Sequence, residues 1–164
     1  NTDRSRKRTD RSGRDPGDAG GKRPAGSGDD RAAADSALEA HRLLPGDVSL
    51  ARQAFAMALR AGMNDRVVAA YGASPAAVQA DGRTAMTYAF ALLRQGDTDR
   101  AEAVLMRAGG LSVTDIREGE ISLTNLYLDI ARARADAAGR AFDPAETDVP
   151  RRFDFRMFVP KKRG

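Results

Sequence analysis

Apolar residues recur at three- and four-residue intervals through the middle of the chain, a spacing that predicts amphipathic helices rather than strands. The two clearest stripes are Leu50, Ala54, Ala58 and Ala61, followed by Gly62, and Ala85, Tyr88, Ala89 and Leu92, followed by Gly96. Asp47 or Ser49 is placed to cap the first of these helices, and the second is predicted over about residues 83–95. Each stripe therefore predicts one helix that ends at a glycine.

Three glycines, Gly28, Gly62 and Gly96, stand thirty-four residues apart, and helix-turn-helix repeat proteins have this period. Small, bulkier and small residues follow them five, nine and twelve positions on: Ala33, Ala37 and Ala40; Val67, Tyr71 and Ser74; Ala101, Leu105 and Ala108. The string Leu-Arg-x-Gly-x-x-Asp-Arg also occurs twice, at residues 59–66 and 93–100. The period predicts stacked helical hairpins with the three glycines at equivalent positions.

Further helices are predicted around these two. Asp29 or Asp30 is expected to cap a first helix, which resembles the second half of a hairpin whose first half is missing. Asn64 is expected to open a short helix that Gly72 stops, and residues 75–80 to form one further turn.

The second half of the chain predicts two more helices. Asp97 is expected to cap a helix that carries Ala101 and Leu105, and Ser122 to cap a long helix that runs to about Gly139. One face of the long helix is polar, as the last element of a repeat array must be. The residues of this face are Asn125, Asp129, Arg132 and Asp136.

The two ends of the chain have a different composition. Residues 1–27 contain no Leu, Ile, Val, Phe or Met, so they are predicted to form a disordered arm or linker. Residues 140–164 contain three prolines, which exclude a continuous helix. Phe153 and Phe155 alternate there with polar residues at strand-like spacing. We expect this aromatic surface to be covered by the helical part or by another domain.

Residues 85–108 resemble a tetratricopeptide repeat, because the run from Thr98 to Leu105 is similar to the second helix of that family. The resemblance covers about residues 28–113, as one half-repeat and two full repeats. Ala51 and Ala85 stand where the family has a leading Trp, and Phe55 stands where it has a small residue. The resemblance implies an all-α, short right-handed helix-turn-helix solenoid over residues 28–139, followed by an irregular or extended tail. It also implies that the first helix of each pair lines a concave groove.

A second resemblance concerns the C-terminal part. The run from Asp115 to Leu128, followed by Asp154-Phe155-Arg156-Met157, is similar to the end of large bacterial proteins that join a carbohydrate-enzyme-like β-sandwich domain of unknown function to tetratricopeptide repeats. This resemblance implies that the chain is an accessory solenoid of such a protein. The first residue is Asn1 rather than Met, so we expect a piece of a longer chain or a processed product.

Composition narrows the chemistry. The chain has 164 residues, no Cys and no Trp, a size that suits one domain. Without Cys there is no disulfide, thiolate or Cys-ligated metal, and a reducing compartment is permitted. No apolar run is long enough to span a bilayer, and we predict a cytoplasmic protein.

The basic residues are unevenly distributed. Up to Arg31 there are nine basic and six acidic residues, and the remainder of the chain has 18 basic and 17 acidic residues. The excess charge therefore lies in the arm, which argues against nucleic acid as the partner.

No pattern of an enzyme is present. His41 is the only histidine, and no further metal ligand or nucleophile stands at a suitable spacing. Asp97 and Asp99 could form an acid/base pair, but Asp97 is better explained as a helix cap. Gly109-Gly110 is not followed by the Gly-Lys-Ser/Thr of a phosphate loop. We predict no catalysis, no cofactor and no metal.

The candidate ligand is a peptide. The resemblance places five side chains on or near the concave groove: Arg52, Arg60, Met86, Phe90 and Arg94. Arginine forks bind carboxylates through two parallel hydrogen bonds, so the hypothesis is capture of an acidic peptide. The alternative is that Arg60 and Arg94 only complement the dipoles of their helices. The sequence thus predicts a non-catalytic interaction or scaffold module whose partner is a protein, a peptide or an upstream domain of the same chain.

Overall fold

The computed structural model of the chain describes residues 28–107, 111 and 123–156. Over these ranges the structure is all-helical and contains no strand, as the apolar spacing predicts. Its helices are α1 (Gly28–Leu43), α2 (Val48–Arg60), α3 (Asn64–Gly72), α4 (Ala76–Ala80), α5 (Gly82–Arg94), α6 (Thr98–Leu105) and α7 (Leu123–Ala137). The predicted arm, Ser122 and the Gly109-Gly110 pair lie outside the described residues.

The helices pack in two rows. In the first row α5 lies between α2 and α7 and contacts both. In the second row α1 packs on α2, α3 packs on α2 and α5, and α6 packs on α5 and α7. The short α4 fills the gap beside α2, α3 and α5. This arrangement is compatible with a helical-repeat fold and makes α5 its central element.

Glycines end three of the helices in the left-handed conformation. Gly62 has φ +73°, Gly96 φ +82° and Gly139 φ +63°. At each of them the two residues after the cap donate to carbonyls of the last helical turn, as in Met63 N to Ala58 O at 2.9 Å and Gly62 N to Leu59 O at 3.1 Å. These paired bonds form the Schellman motif, which a residue with a Cβ disfavours. The predicted roles of Gly62 and Gly96 are confirmed.

Gly28 does not share this role. It is the first residue of α1 and has no positive φ, so the prediction of three equivalent glycines is wrong for the first copy. The buried stripe of α1 is Ala34, Leu38 and His41, whereas Ala33 is exposed. Leu38 precedes the buried Ala51 of α2 by thirteen residues, while Tyr71 precedes Ala85 of α5 by fourteen. The buried residues of α1 are thus one position closer to those of α2 than the buried residues of α3 are to those of α5. For this reason Ala34, and not Ala33, faces the core.

Aspartate side chains cap three helices. Asp47 Oδ1 accepts from Leu50 N at 2.9 Å, Asp81 Oδ2 from Thr84 N at 3.0 Å and Asp97 Oδ1 from Arg100 N at 3.2 Å. The predicted caps Asp47 and Asp97 are confirmed. Asp29 and Asp30 were expected to cap α1 but lie within its first turn, because the helix begins before them.

The core is built mainly from alanine and aliphatic side chains. Its fully enclosed large side chains include Phe55, Leu59, Leu92, Leu105 and Leu126. Between the helices lie alanines with no exposed surface: Ala51, Ala54, Ala58, Ala85, Ala89, Ala91 and Ala101. Small side chains let helix axes approach closely, so a chain without Trp still forms a continuous core.

The C-terminal segment packs on α7 without forming a strand. Val149 and Phe153 are buried, and the Phe153 ring stacks on Tyr127 with 5.8 Å between centroids. Thr124 Oγ1 donates to Phe153 O at 2.6 Å and accepts from Phe155 N at 3.0 Å.

The alternation of Phe153 and Phe155 was expected to place both rings on one side of a strand. Residues 151–153 form a turn instead, and Phe155 is 56% exposed. In this turn, the carbonyl of Phe153 and the N–H of Phe155 bond to the side chain of Thr124. Met157, Phe158 and Val159 lie outside the described residues.

Candidate functional site

The face of α2, α5 and α7 carries the candidate site, and its arginines are engaged to different degrees. Arg52 forms an ion pair with Asp81, with Nη2 to Oδ1 at 2.5 Å and Nε to Oδ2 at 3.1 Å. Burial raises the pKa of Asp81, but the hydrogen bond and charge of Arg52 and the Thr84 N–H outweigh it and hold that pKa below its usual range. Arg52 therefore fixes the cap of α5 and joins α2 to it.

Arg94 and Arg60 both lie in the last turn of their helices. Arg94 Nη1 donates to the carbonyl of Leu59 at 2.8 Å, so it ties the C-terminus of α5 to that of α2. The side chain of Arg60 is exposed. Both positions complement the negative end of a helix dipole, and Arg60 is also open to solvent.

Met86 and Phe90 occupy the same face of α5. Met86 is 4% exposed and belongs to the core. Phe90 is 9% exposed and lines two adjoining depressions between α5 and α7. Of the two apolar candidates, Phe90 is thus the one that borders open space.

We name these two depressions the α5–α7 groove. The first has a volume of about 440 Å³ and is lined by Phe90, Asn125, Leu128, Asp129, Arg132 and Pro144. The second has a volume of about 280 Å³ and is lined by Phe90, Leu93, Arg94, Asp129, Arg132, Ala133 and Asp136. The two depressions share Phe90, Asp129 and Arg132, so they lie side by side, and both have apolar and charged side chains in their lining.

The polar face of α7 lines this groove. Sequence reasoning assigned Asn125, Asp129, Arg132 and Asp136 to a water-facing cap, and it did not connect them with Phe90. The sequence did show that these four residues share one side of α7, because of their spacing. It did not show that Phe90 and Leu93 of α5 lie next to that side.

The charged side chains that line the groove differ in the contacts that they make within the described residues. The Arg132 guanidinium lies over the Phe142 ring at 5.2 Å from its centroid, a cation–π contact. Among the described residues, neither Asp129 nor Asp136 forms a hydrogen bond or ion pair through its side chain. The half-buried Asp129 and the exposed Asp136 therefore leave two carboxylates available at the groove.

His41 lies away from this face. It belongs to α1 and contacts α2 and the residues just after α3. It is 4% exposed, its ring meets the Phe55 ring edge-on at 5.1 Å, and Nε2 lies 3.0 Å from Ser74 Oγ. Ser74 Oγ already donates to Ala70 O at 2.7 Å, so Nε2 carries the proton and donates to Ser74. The buried Nδ1 has no hydrogen-bond partner. His41 is a packed helical histidine, one of the two structural roles expected for it.

This environment predicts a loss of stability on mild acidification. Burial lowers the pKa of His41, against a smaller opposing effect of the Asp47 charge. Below the usual histidine pKa of about 6.5 the unfolded chain binds a proton that the folded chain does not. Stability is therefore expected to fall as pH drops through about 6.5 and to level off below the folded-state pKa. Urea unfolding at a series of pH values from about 7.5 to 5.5 measures the effect.

The matched control is His41→Gln, which keeps a polar side chain but does not titrate. His41 is the only histidine of the chain, so the variant should lose the pH dependence of unfolding in this range. A variant that retains the full dependence would assign the effect to another group.

Comparisons of the chain with protein families, with curated proteins and with solved structures found no match. Among the described helices, none is both long and apolar enough to cross a membrane.

Proposed function

We propose that the chain is a non-catalytic helical-repeat module, similar to tetratricopeptide repeats, that binds a protein or peptide on the face of α2, α5 and α7. The observation that carries the proposal is the α5–α7 groove, whose lining combines Phe90 with charged side chains of α5 and α7. Extended peptides bind in grooves through side chains that enter apolar pockets while polar groups set their orientation.

An acidic peptide is the ligand that Arg60 and Arg94 favour. Arg60 is exposed at the C-terminal end of α2, and Arg94 bonds to the carbonyl of the preceding residue, Leu59, and borders the groove. A guanidinium can pair with a carboxylate through two parallel hydrogen bonds. These two side chains would therefore hold acidic residues at the α2–α5 end of the face.

Charge reversal tests this proposal. The double variant Arg60→Glu/Arg94→Glu is expected to abolish binding of a fluorescein-labelled Leu-Glu-Ala-Glu-Leu peptide, because it replaces two attractive charges by two repulsive ones. Fluorescence anisotropy measures the affinity, and far-UV circular dichroism measures the helix content, which should not change.

Two controls accompany the charge-reversal variant. Arg42→Glu/Arg66→Glu makes the same change of net charge on α1 and α3, where the ion pairs with Glu39 and Asp35 are exposed and worth at most about 1 kcal/mol each. The single variant Arg60→Glu keeps the hydrogen bond from Arg94 to Leu59. It therefore changes the charge of this face without changing the contact between α2 and α5. Unchanged affinity in the α2–α5 double variant would refute the acidic ligand.

The alternative is that the chain is the C-terminal accessory solenoid of a larger carbohydrate-active bacterial protein. One observation supports it: the two stretches that carry this resemblance meet in space, since Thr124 bonds to both Phe153 and Phe155. The sequence of the intact polypeptide upstream of Asn1 tests this alternative. A β-sandwich domain of the sugar-enzyme kind is expected there, and a different domain would remove the alternative.

A further inference from the structure

The helix α1 is attached to the other helices mainly on one side. In the second row, α3 packs on α2 and α5, and α6 packs on α5 and α7, whereas the packing of α1 is on α2. The side chains that α1 buries are Ala34, Leu38 and His41. One of the three is therefore an ionisable group that titrates near neutral pH.

The ring of His41 joins α1 to both neighbouring helices. It meets the Phe55 ring of α2 edge-on, with 5.1 Å between centroids, and its Nε2 lies 3.0 Å from Ser74 Oγ, two residues after the end of α3. An ion pair between Asp35 and Arg66, at 2.9 Å, also links α1 to α3. Both side chains of this pair are half exposed, so it adds little to the attachment.

The surroundings of the ring suit the neutral form of His41 and not the protonated form. Ser74 Oγ donates to Ala70 O at 2.7 Å and accepts from Nε2. Nδ1 is buried and has no hydrogen-bond partner. Protonation adds a hydrogen to Nδ1, and a buried charged donor without an acceptor is strongly disfavoured. Movement of the ring into water removes this penalty.

The ionisable groups around the ring do not compensate for its burial. Asp47, at the start of α2, favours the charged ring, but burial outweighs it and keeps the pKa of His41 below its usual range. Tyr71 of α3, which contacts the Phe55 ring, stays neutral because burial raises its pKa. The charged side chains of α1 and α3 near this contact pair with each other: Asp35 with Arg66, and Glu39 with Arg42.

From this geometry we propose that α1 is an acid-released helix: protonation of His41 detaches α1 from α2 and α3 while α2 to α7 remain folded. Local opening of this kind requires less free energy than global unfolding, because it gives up the contacts of a single helix. In the opened form the Phe55 ring loses the cover of His41. α2 then presents an aromatic surface that is fully enclosed at neutral pH.

One proton, bound by the opened form and not by the docked form, determines the size of the effect. In the opened form His41 titrates with the usual histidine pKa of about 6.5. Docking of α1 is therefore fully favoured above this pH, and the opening equilibrium rises up to about tenfold for each pH unit below it. The rise ends below the pKa of the docked ring.

Thiol labelling of the full chain tests the inference. The chain has no cysteine, so Ala34→Cys places a single thiol in the contact of α1, and Ala89→Cys places one in the centre of α5. Both alanines have no exposed surface. The rate of reaction with dithiodipyridine, divided by the rate of the same variant unfolded in urea, measures opening at each pH without the titration of the thiol itself.

The labelling rate of Ala34→Cys is expected to exceed that of Ala89→Cys at every pH and to rise about tenfold between pH of about 7.5 and 5.5. Urea below the unfolding transition should change it little, because local opening exposes little surface, and should accelerate Ala89→Cys steeply. His41→Gln, which does not titrate, should remove the pH dependence of labelling in Ala34→Cys.

Hydrogen exchange of the unaltered chain, followed by mass spectrometry, makes the same comparison without a new side chain at the contact. After correction for the intrinsic pH dependence of exchange, amides of α1 should lose protection on acidification and remain less protected than those of α5. Equal protection of α1 and α5, or equal labelling rates and urea dependences of the two cysteine variants, would show that α1 detaches only on global unfolding. That result, or a pH dependence that persists in His41→Gln, overturns the inference.

Discussion

Replacing Phe55 by alanine is expected to destabilise the fold by about 3–5 kcal/mol, the range for a fully buried phenylalanine. Phe55 has no exposed surface, and its ring contacts His41 of α1 at 5.1 Å and Tyr71 of α3 at 6.4 Å between centroids. The ring thus joins α1 and α3 to α2. Urea unfolding followed by circular dichroism measures the change, which should move the midpoint without altering the helix content before the transition.

Phe155→Ala is the matched control. It makes the same substitution at a ring that is 56% exposed, so it should change the stability by less than about 1 kcal/mol. If Phe55→Ala were neutral or stabilising, the packing of α1 and α3 on this ring would be refuted.

The double variant Gly62→Ala/Gly96→Ala is expected to cost about 2–4 kcal/mol, since an L-residue in the left-handed region costs about 1–2 kcal/mol. Both glycines have positive φ, +73° and +82°. A Cβ at either position would meet no other atom within 4 Å, so the whole cost comes from the backbone. Thermal or urea unfolding of the double variant measures it.

Gly72→Ala controls for the loss of glycine itself. Gly72 is the last residue of α3, its φ is not in the left-handed region, and a Cβ there also meets no atom within 4 Å. Alanine should therefore stabilise the chain, by up to about 1 kcal/mol. A loss of similar size in both variants would contradict the assignment of the turns at Gly62 and Gly96.

The helical part of the fold was predictable from local chemistry. Apolar spacing is a property of short stretches, and so are the caps Asp47 and Asp97 and the turn glycines Gly62 and Gly96, which the structure confirms. The register of α1 was not predictable in this way. Alanine occupies both Ala33 and Ala34, so either residue could belong to the buried stripe, and the packing against α2 buries Ala34.

The α5–α7 groove could not be predicted from the pattern of residues along the chain. The polar stripe of α7 and the position of Phe90 were each visible in the sequence, but their proximity depends on how α5 and α7 pack. The engagement of Arg52 with Asp81 is likewise a contact between residues 29 positions apart. Periodicity predicts which side of a helix is polar, and it does not predict what faces that side.

The contacts of residues 149–153 limit how far the stack of helices can extend. In the earlier hairpins α3 lies beside α2 and α6 beside α5. On α7, Phe153 packs on Tyr127, and Arg152 reaches Met106 just after α6. A further helix that used this surface of α7 would have to displace both contacts.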